Sequence, residues 1–178
     1  MLRYQRGDRS AFAELVRRYE VRVYNFVLRQ LGSALVADEL AQRVFLGVVL
    51  ESSRFNYETP FSTRLFTIAC RLCQRERKRV PQPEPRDRAD SAPESQVEPL
   101  LARVSLAETL ERAVDSLPSD EKDVYLLREV ADVPFRDIAL ITRQTSSAVR
   151  VQMQHALSRL RAVVQDSEQY RRALRSRA

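Results

Sequence analysis

Apolar residues recur every three or four positions along most of the chain, which is the spacing of amphipathic helices. In residues 1–80 this pattern predicts four helices. The first two share an apolar stripe that starts after a capping Asp8 and ends at Gly32. A third helix is expected over 34–50, and a fourth follows Ser62 as its N-cap. The side chains expected to face inward from the third helix are Leu35, Leu40, Val44, Phe45 and Val48.

The residues after position 100 predict a second set of four helices. The last two are separated only by a short bend at 142–145, which contains no glycine. Thr145 can cap the helix that follows the bend. Its outward positions carry Ser, Arg and Gln instead of the alternating Glu and Lys of an ordinary solvated helix. This favours a DNA-reading helix-turn-helix over a plain helical hairpin, which is the alternative.

A polar, proline-rich segment separates the two sets of helices. Its sequence, PQPEPRDRADSAPESQVEP, holds five of the eight prolines and almost no large apolar residue, so burial cannot offset the entropy of ordering it. We interpret 81–100 as a flexible linker. The chain is therefore predicted to be all-α, with two small four-helix domains at 1–80 and 101–166 and a polar tail at 167–178.

The composition agrees with this fold class and limits the function. The 178 residues include only 3 glycines and no tryptophan, and Leu, Ala, Arg and Glu dominate, which is typical of a helical protein. No stretch is long and apolar enough to span a membrane, and the first residues, MLRYQRGDRS, are too polar for a secretory signal. We therefore expect a cytoplasmic protein without membrane insertion.

Positive charge is concentrated in the first domain. Residues 1–80 hold 15 Lys and Arg against 8 Asp and Glu, whereas 81–99 hold 2 against 5. The fourth helix carries a stripe of cations that suits a phosphate backbone, and the loop before it offers aromatic and amide groups that suit an unstacked base. The alternative is a solvated run of charge at a helix C-terminus. The residues concerned are Arg64, Arg71, Arg75, Lys78 and Arg79 on the helix, and Arg54, Phe55, Asn56 and Tyr57 in the loop.

Two cysteines, Cys70 and Cys73, lie three positions apart, and the single histidine, His155, is far along the chain. This spacing favours neither a disulfide framework nor a zinc site. We expect small, buried, apolar cysteines, with a redox switch as the alternative. A redox or metal enzyme built around CRLC is a further hypothesis, but no nucleophile, base or pocket accompanies it. No catalytic residue, metal or cofactor is therefore expected.

Four stretches of the chain carry a family resemblance through their order and spacing. They are YQRGDRSAFAELVRRYEVRVYNFVLRQLG, ADELAQRVFLGVV, FNYETPFSTRLFTIACRLCQRERKR and LERAVDSLPSDEKDVYLLREVADVPFRDIALITRQTSSAVRVQMQHALSRLR. Together with the acidic linker, they resemble the extracytoplasmic-function (ECF) sigma factors of bacterial RNA polymerase. The resemblance implies a non-catalytic subunit that binds core polymerase at its clamp and flap and reads two elements of promoter DNA. It also implies an anti-sigma protein as a regulatory partner.

The resemblance further implies roles for individual residues. An acidic-Leu-x-Gln-x-x-Phe pattern that contacts the polymerase clamp matches Glu39, Leu40, Gln42 and Phe45. The loop at 54–59 matches the segment that captures a flipped base of the proximal promoter element. The helix opened by Phe61 and Thr63 matches the part that melts the duplex and holds its non-template strand. The residues that match the reader of the distal element are Thr145, Ser146, Ser147, Arg150, Gln152 and Gln154.

Four arginines depart from the family pattern. Arg43 stands where an acid is usual, Arg64 where an aromatic is usual, Arg71 where an asparagine is usual and Arg143 at the turn glycine. An aromatic side chain can insert between bases and help to separate the strands, and replacing it with arginine favours phosphate binding over strand separation. A left-handed Arg143 costs about 1 kcal/mol. The chain is therefore expected to be either a divergent sigma factor or a sigma-like regulator or decoy that does not melt promoters.

Overall fold

Helices form all of the regular structure in the described part of the chain. The computed structural model describes the backbone of residues 1–79 and 106–176, and the side chains of 1–79 and 108–166. No strand occurs within these ranges. The all-α prediction is confirmed, whereas the segment 81–100 lies outside the described residues.

The N-terminal bundle contains four helices and a short 3-10 turn. The helices are α1 (Leu2–Gln5), α2 (Arg9–Leu31), α3 (Ala34–Leu50) and α4 (Phe61–Arg79), and the turn is Ser52–Arg54. α3 packs on α2, and α4 packs on both. The residues buried between them include Val23, Phe26, Val27, Leu40, Val44, Val48, Leu65, Phe66 and Ala69. Leu35 does not face inward as predicted, since 81% of its surface is exposed.

Two predicted helix boundaries in this bundle are wrong. The stripe predicted as two helices forms one continuous α2, because nothing within it stops the helix before Gly32. α4 begins at Phe61, so Ser62 lies inside the first turn and is not the N-cap. The structure also adds α1, which has only 4 residues and is too short to show an apolar period.

The two ends of α2 were predicted correctly. The Asp8 carboxylate accepts a hydrogen bond from the Ala11 amide at 3.2 Å and so satisfies one of the free donors of the first turn. At the other end Gly32 has a φ of 71°, and its amide donates to the Leu28 carbonyl at 2.7 Å. Both signals act between residues close in sequence, which is why the sequence alone locates them.

The C-terminal bundle also contains four described helices. They are α5 (Leu106–Asp115), α6 (Ser119–Glu129), α7 (Phe135–Thr142) and α8 (Ser146–Ser176). α8 packs against α5, α6 and α7, so neighbours on several sides enclose its inner face. The buried residues of that face are Val149, Met153, Ala156 and Leu160. The opposite face of α8 is exposed, as the recognition helix of the predicted helix-turn-helix requires.

The bend between α7 and α8 has a left-handed residue although it lacks glycine. Arg143 has a φ of 57° and a ψ of 41°, a conformation that costs a non-glycine residue about 1 kcal/mol. The Gln144 amide then donates to the Ala139 carbonyl at 3.0 Å. The Thr145 hydroxyl caps α8 as predicted, accepting a hydrogen bond from the Ala148 amide at 3.2 Å. The bend is therefore strained but closed by ordinary capping contacts.

The two bundles pack against each other. α2 contacts α6, and α4 contacts α7. The buried apolar residues of both bundles form one continuous cluster. The sequence predicted two bodies on a loose linker, and no pattern in it indicated that the described residues would form this contact.

Candidate nucleic-acid interface

The loop between the 3-10 turn and α4 combines buried anchors with exposed polar groups. Phe55 is 5% exposed, and its ring centroid lies 5.5 Å from that of Phe61. The Asn56 side-chain oxygen accepts a hydrogen bond from Arg64 at 3.3 Å. Tyr57, in contrast, is 81% exposed. The loop thus presents an amide and a ring, the groups that hold an unstacked base, from an anchored backbone.

Gln5 of α1 braces this loop. Its side-chain nitrogen donates to the Ser52 carbonyl at 2.5 Å and to the Phe55 carbonyl at 2.9 Å. These contacts fix both ends of the 3-10 turn that leads into the loop. Sequence reasoning missed Gln5, because the residue is uncharged and contacts partners 47 and 50 positions away.

Three arginines line a cavity of about 280 Å³ beside the loop. The Arg64 guanidinium carbon lies 5.7 Å from the centroid of the Phe55 ring, which is the geometry of a cation–π contact. Arg71 and Arg54 both pair with Glu51, at 2.5 Å and 3.8 Å. The cavity therefore offers cations and a carboxylate to a bound nucleotide. Arg64 and Arg71, two of the four arginines that depart from the family pattern, both line it.

The outer part of the α4 stripe is exposed. Arg79 pairs with Glu76 at 3.5 Å. Arg75 and Lys78 have no acidic partner among the residues that the structure describes. An exposed cation without a protein partner binds a phosphate most favourably, because no ion pair within the protein has to be broken first. The stripe thus divides into members with protein partners and members that are available to a ligand.

Two predicted residues at the start of α4 lie inward. Thr63 is 2% exposed. Phe61 is half-buried, with its ring 5.3 Å from that of Tyr19 and 5.5 Å from that of Phe55. These two side chains hold the first turn of α4 against α2 and the loop, and they present little surface to a ligand.

A separate groove of about 350 Å³ lies between α2 and α3. Gln42 and Phe45 line it from α3, opposite Val21 and Tyr24 of α2. Val21 is 64% exposed and adds apolar surface to one wall of the groove. The groove therefore brings together two of the four residues that the sequence assigned to polymerase binding, within an apolar setting.

The other two residues of that set occupy different places on α3. Leu40 is 1% exposed and belongs to the core. Glu39 is exposed and pairs with Arg43 at 3.7 Å, one turn along the helix. The acid and the arginine that departs from the family pattern thus form a weak ion pair within one helix.

The exposed face of α8 carries most of the predicted readers of the distal element. Gln152 is the exception: it is half-buried, and its side-chain oxygen is enclosed without a hydrogen-bond partner in the described structure. Val151, which sequence reasoning missed, is 46% exposed beside Arg150 and suits contact with a thymine methyl group. The predicted residues that are exposed are Thr145, Ser146, Ser147, Arg150 and Gln154.

Cys70 and Cys73 are buried, unbridged thiols on α4. Burial raises the pKa of the Cys73 thiol to about 12, and it raises the pKa of Cys70 well above its ordinary value. A thiol with such a pKa stays protonated at neutral pH and reacts slowly. The described conformation therefore favours the apolar interpretation of this pair over a redox switch.

The described residues form neither a metal site nor a membrane-spanning helix. Across the described ranges, no three His, Cys, Asp or Glu side chains are grouped as a metal site would require. No described helix combines the length and apolar character needed to cross a membrane.

Comparison with family models matches both bundles to one group of proteins. Residues 15–80 match the family model described as Sigma-70 region 2. Residues 107–160 match the one described as Sigma-70, region 4. The first match covers the loop and the α4 stripe, and the second covers the helix-turn-helix.

Curated relatives align with most of the chain. The RNA polymerase sigma factor CarQ of Myxococcus xanthus is 26% identical over 171 residues, which cover 94% of this chain and 97% of the relative. The ECF RNA polymerase sigma factor SigW of Bacillus subtilis is 25% identical over 174 residues, covering 91% and 93%. The ECF RNA polymerase sigma-E factor of Escherichia coli is 28% identical over 151 residues, covering 78% of each chain.

Solved structures share the fold across both bundles. The sigma factor RpoE of Bartonella quintana, solved in complex with the anti-sigma factor NepR, has a TM-score of 0.67 at 17% identity, covering 87% of this chain and 97% of the other. CnrH, solved in complex with the cytosolic domain of CnrY, has a TM-score of 0.66 at 22% identity, covering 90% and 91%. At these identities the likeness establishes the fold alone.

Proposed function

We propose that the two bundles of this chain, which belongs to the extracytoplasmic-function (ECF) sigma factors of bacterial RNA polymerase, have different roles in promoter recognition. Sigma factors are non-catalytic polymerase subunits, and this one directs promoter-specific initiation by binding the core enzyme and promoter DNA. In our proposal the domain at 1–80 binds the polymerase clamp and the proximal promoter element. The domain at 101–166 reads the distal element, and 81–100 joins the two.

One observation carries the proposal: the chain presents two separate exposed surfaces of different chemistry, each of which suits a nucleic acid. The surface on α4 and its loop offers rings, an amide and exposed cations, two of which have no acidic partner among the described residues. This combination suits a single strand. The surface on α8 offers hydroxyls, an arginine and an amide from a helix-turn-helix, which suits base edges in a major groove. A protein that reads two promoter elements needs both.

At the proximal element, Asn56 and Tyr57 receive the flipped base, and Arg54, Arg64 and Arg71 line the cavity beside it. The base leaves its stack at a cost of a few kcal/mol, which stacking and hydrogen bonds in the site must offset. The exposed cations of the α4 stripe then hold the phosphates of the displaced strand. Phe61 and Thr63 act indirectly, since they fix α4 against the loop. The cations that hold the strand are Arg75, Lys78 and Arg79.

The groove between α2 and α3 is the proposed binding site for the polymerase clamp. Gln42 and Phe45 supply a polar and an apolar contact within it. Glu39 lies on the exposed side of α3, and Leu40 holds the helix in the core. Because Glu39 already pairs with Arg43, the charge reversal at Arg43 does not leave an unpaired cation on this surface. The departure from the family pattern is therefore compatible with clamp binding.

At the distal element, α8 lies in the major groove with its N-terminal half against the bases. Arg150 and Gln154 donate to base edges, and Ser146 and Ser147 contact the backbone phosphates near the helix start. Thr145 acts mainly as the cap that fixes where α8 begins. Gln152 is turned toward the bundle, so we assign it a smaller share of the recognition.

The same proposal extends to the partners and location of the chain. RpoE was solved with an anti-sigma factor, and we expect such a protein to bind this chain as well. Bacterial RNA polymerase works in the cytoplasm, so the proposal places the chain there. The role requires no metal, cofactor or covalent step of its own.

Run-off transcription tests the proposal. The purified chain is mixed with core polymerase and a promoter library, and transcripts are sequenced. We expect co-elution with the core enzyme, transcripts from a subset of promoters, and melted bases that react with permanganate. Absence of both co-elution and transcripts would overturn the proposal.

A decoy or regulator is the second candidate, because Arg64 occupies the position of a wedge aromatic and lies against Phe55. Such a protein would bind polymerase or promoter DNA without opening the duplex. In the same experiment, co-elution or promoter binding without permanganate-reactive bases would identify it. Restoring an aromatic with Arg64→Trp should then allow melting, whereas Arg75→Trp, at the exposed part of the same helix, should not.

A further inference from the structure

We propose that the cavity of about 280 Å³ between the loop at 54–59 and α4 is a binding site for a phosphoryl group. The site itself stands on the chemistry of this cavity, whereas any part that it plays in promoter binding rests on the proposed function. A phosphoryl group can be carried by a free small molecule or by the promoter strand. Both would meet the same donors.

Two neighbouring residues of α4 bring unpartnered donors to this cavity. Thr63 and Arg64 both line it, and the Thr63 hydroxyl and the Arg64 Nε are enclosed without a hydrogen-bond partner in the described structure. Thr63 as a whole is 2% exposed, so its role here depends on the hydroxyl alone. Buried polar groups nearly always have a partner, because an unpaired one is costly. Two such donors on consecutive residues therefore indicate a common acceptor.

The cavity is also strongly cationic. Arg54, Arg64 and Arg71 line it, and Glu51 is the one acid among its described lining residues. Glu51 pairs with Arg71 at 2.5 Å and with Arg54 at 3.8 Å, so two cations share its charge. The first turn of α4 carries no acidic residue, and the positive end of the helix dipole favours an anion there. The acceptor is therefore expected to be an anion.

The donors of the cavity suit a phosphoryl group better than a carboxylate. Guanidinium groups bind phosphate oxygens in pairs, and the remaining oxygens of a phosphoryl group can accept from a hydroxyl at the same time. A carboxylate has only two oxygens and reaches fewer of these donors. Ile68 of α4 and Leu140 of α7 add apolar surface to the wall, which strengthens polar contacts by lowering the local dielectric. The volume suits a small ligand.

Two of the cations are departures from the family pattern. Arg64 stands where an aromatic residue is usual, and Arg71 stands where an asparagine is usual. They lie about two helical turns apart on α4, so both side chains emerge on the same side of the helix and reach one cavity. Two departures that each add a cation to the same cavity point to a ligand that belongs to this chain in particular.

Two isosteric variants separate a ligand role from a structural one. Thr63→Val removes the unpartnered hydroxyl, so the free chain should be at least as stable as before. Thr67→Val removes a hydroxyl of the same cavity that already donates to the Thr63 carbonyl at 2.7 Å, so its Tm should fall slightly. Inorganic phosphate, compared with sodium chloride of equal ionic strength, should raise the Tm of the unchanged chain and of Thr67→Val. Thr63→Val should need at least about fivefold more phosphate for the same rise.

A second pair of variants tests the cations. Arg71→Asn restores the residue that is usual in the family, and it should raise the Kd for inorganic phosphate at least about tenfold in isothermal titration calorimetry. Arg75→Asn makes the same change one turn further along α4, at an exposed position that does not line the cavity, and should change the Kd less than about twofold. Acetate should bind the unchanged chain at least about tenfold more weakly than phosphate.

A strand with one neutral linkage identifies which molecule carries the phosphoryl group. Methylphosphonate replaces each phosphate of a proximal-element oligonucleotide in turn, and fluorescence anisotropy measures binding. If the strand supplies the group, one position should weaken binding to the unchanged chain at least about fivefold and have little effect on Thr63→Val. If a free molecule supplies it, no position should distinguish the two chains, and inorganic phosphate should still stabilise the unchanged chain.

The outcomes separate this site from the proposed function. Circular dichroism checks that each variant retains its helices. If inorganic phosphate does not stabilise the chain and no methylphosphonate position matters, while run-off transcription persists, the site alone is overturned. Equal phosphate binding by the unchanged chain, Thr63→Val and Arg71→Asn would also overturn it, because the anion would then lie elsewhere. Absent co-elution and run-off transcripts, with phosphate binding that still depends on Thr63, would overturn the proposed function and leave the site in place.

Discussion

At the scale of single residues, an uncharged side chain sets the geometry of the base-capture loop. Gln5 donates two hydrogen bonds to the backbone that leads into the loop. Gln5→Met keeps the length and charge of the side chain but removes both donors. Each such bond contributes about 0.5 to 1.5 kcal/mol. We expect affinity for the proximal single strand to fall at least about fivefold, as measured by fluorescence anisotropy.

The salt dependence of the same measurement is the control. No phosphate contact is lost in Gln5→Met, so the slope of affinity against salt should stay unchanged. A flatter slope would mean that the substitution had disturbed the cations of α4 and not only the loop.

Arg75 and Arg150 should differ in what they contribute to binding. Arg75 is an exposed cation on the α4 stripe, so Arg75→Ala should weaken binding to all sequences and reduce the salt slope by about one. Arg150 lies on the exposed face of α8, so Arg150→Ala should lose about 1 to 3 kcal/mol of discrimination at one position of the distal element. Binding to a set of single-base promoter variants at several salt concentrations measures both effects. The opposite pattern would show that the two surfaces are wrongly assigned.

Local chemistry decided which residues the sequence could place. The cap at Asp8, the cap at Thr145 and the left-handed Arg143 depend on neighbours within five positions, and all three were predicted. Leu35 has the apolar spacing of α3 but lies at the end of the helix, where no neighbour covers it. Gln5 depends on partners from a different part of the chain. The spacing of apolar residues shows which side of a helix is apolar, but it does not show which part of the chain packs on that side.

At the scale of elements, the strained turn between α7 and α8 gives a stability prediction. Arg143→Gly removes the cost of a left-handed side chain but increases the freedom of the unfolded chain. The net gain should be up to about 1 kcal/mol, which corresponds to about 2 to 4 °C in the Tm of a chain of this size. Thermal unfolding followed by circular dichroism provides the measurement.

Arg161→Gly is the matched control for this change. Arg161 is exposed within α8, where a glycine costs about 1 kcal/mol of helix stability. The same substitution should therefore lower the Tm there. If both variants were destabilised equally, the turn would not be strained.

The helices themselves were largely predictable, and the errors have a common origin. A stripe of apolar residues shows that a helix exists but not whether it is interrupted, so the pattern predicts two helices where the structure has one long α2. α4 starts at Phe61, so Ser62 lies in its first turn. The ring of Phe61 packs on that of Tyr19, a tertiary contact that a capping preference does not reveal. α1 is a single turn and has no period to detect.

At the scale of the whole molecule, the contact between the bundles was beyond the reach of the sequence. Gln30 and Asp123 lie 93 positions apart, on either side of the linker. The acidic residues of the second domain were visible in the sequence only as part of its overall charge, and nothing there showed that they face the arginines of the first. The predicted nucleic-acid surfaces were assigned from motifs, whereas their relation to each other required the structure.

Raised ionic strength should weaken the contact between the two bundles, because the ion pair between Arg22 of α2 and Asp132 of the C-terminal bundle is partly exposed. The side chains of Arg22 and Asp132 are 35% and 72% exposed, so salt screens their attraction, with a Debye length of about 10 Å at 0.1 M. The buried carboxylate of Asp123, which accepts a hydrogen bond from Gln30 and pairs with Arg77, is screened much less. We therefore expect the thiols of Cys70 and Cys73 on α4 to react a few-fold faster with dithionitrobenzoate as KCl rises, and without loss of helix. Asp123→Arg, which breaks the buried contact between the bundles, should show no such acceleration; an equal acceleration there would assign the effect to the thiol chemistry and not to the contact between the bundles.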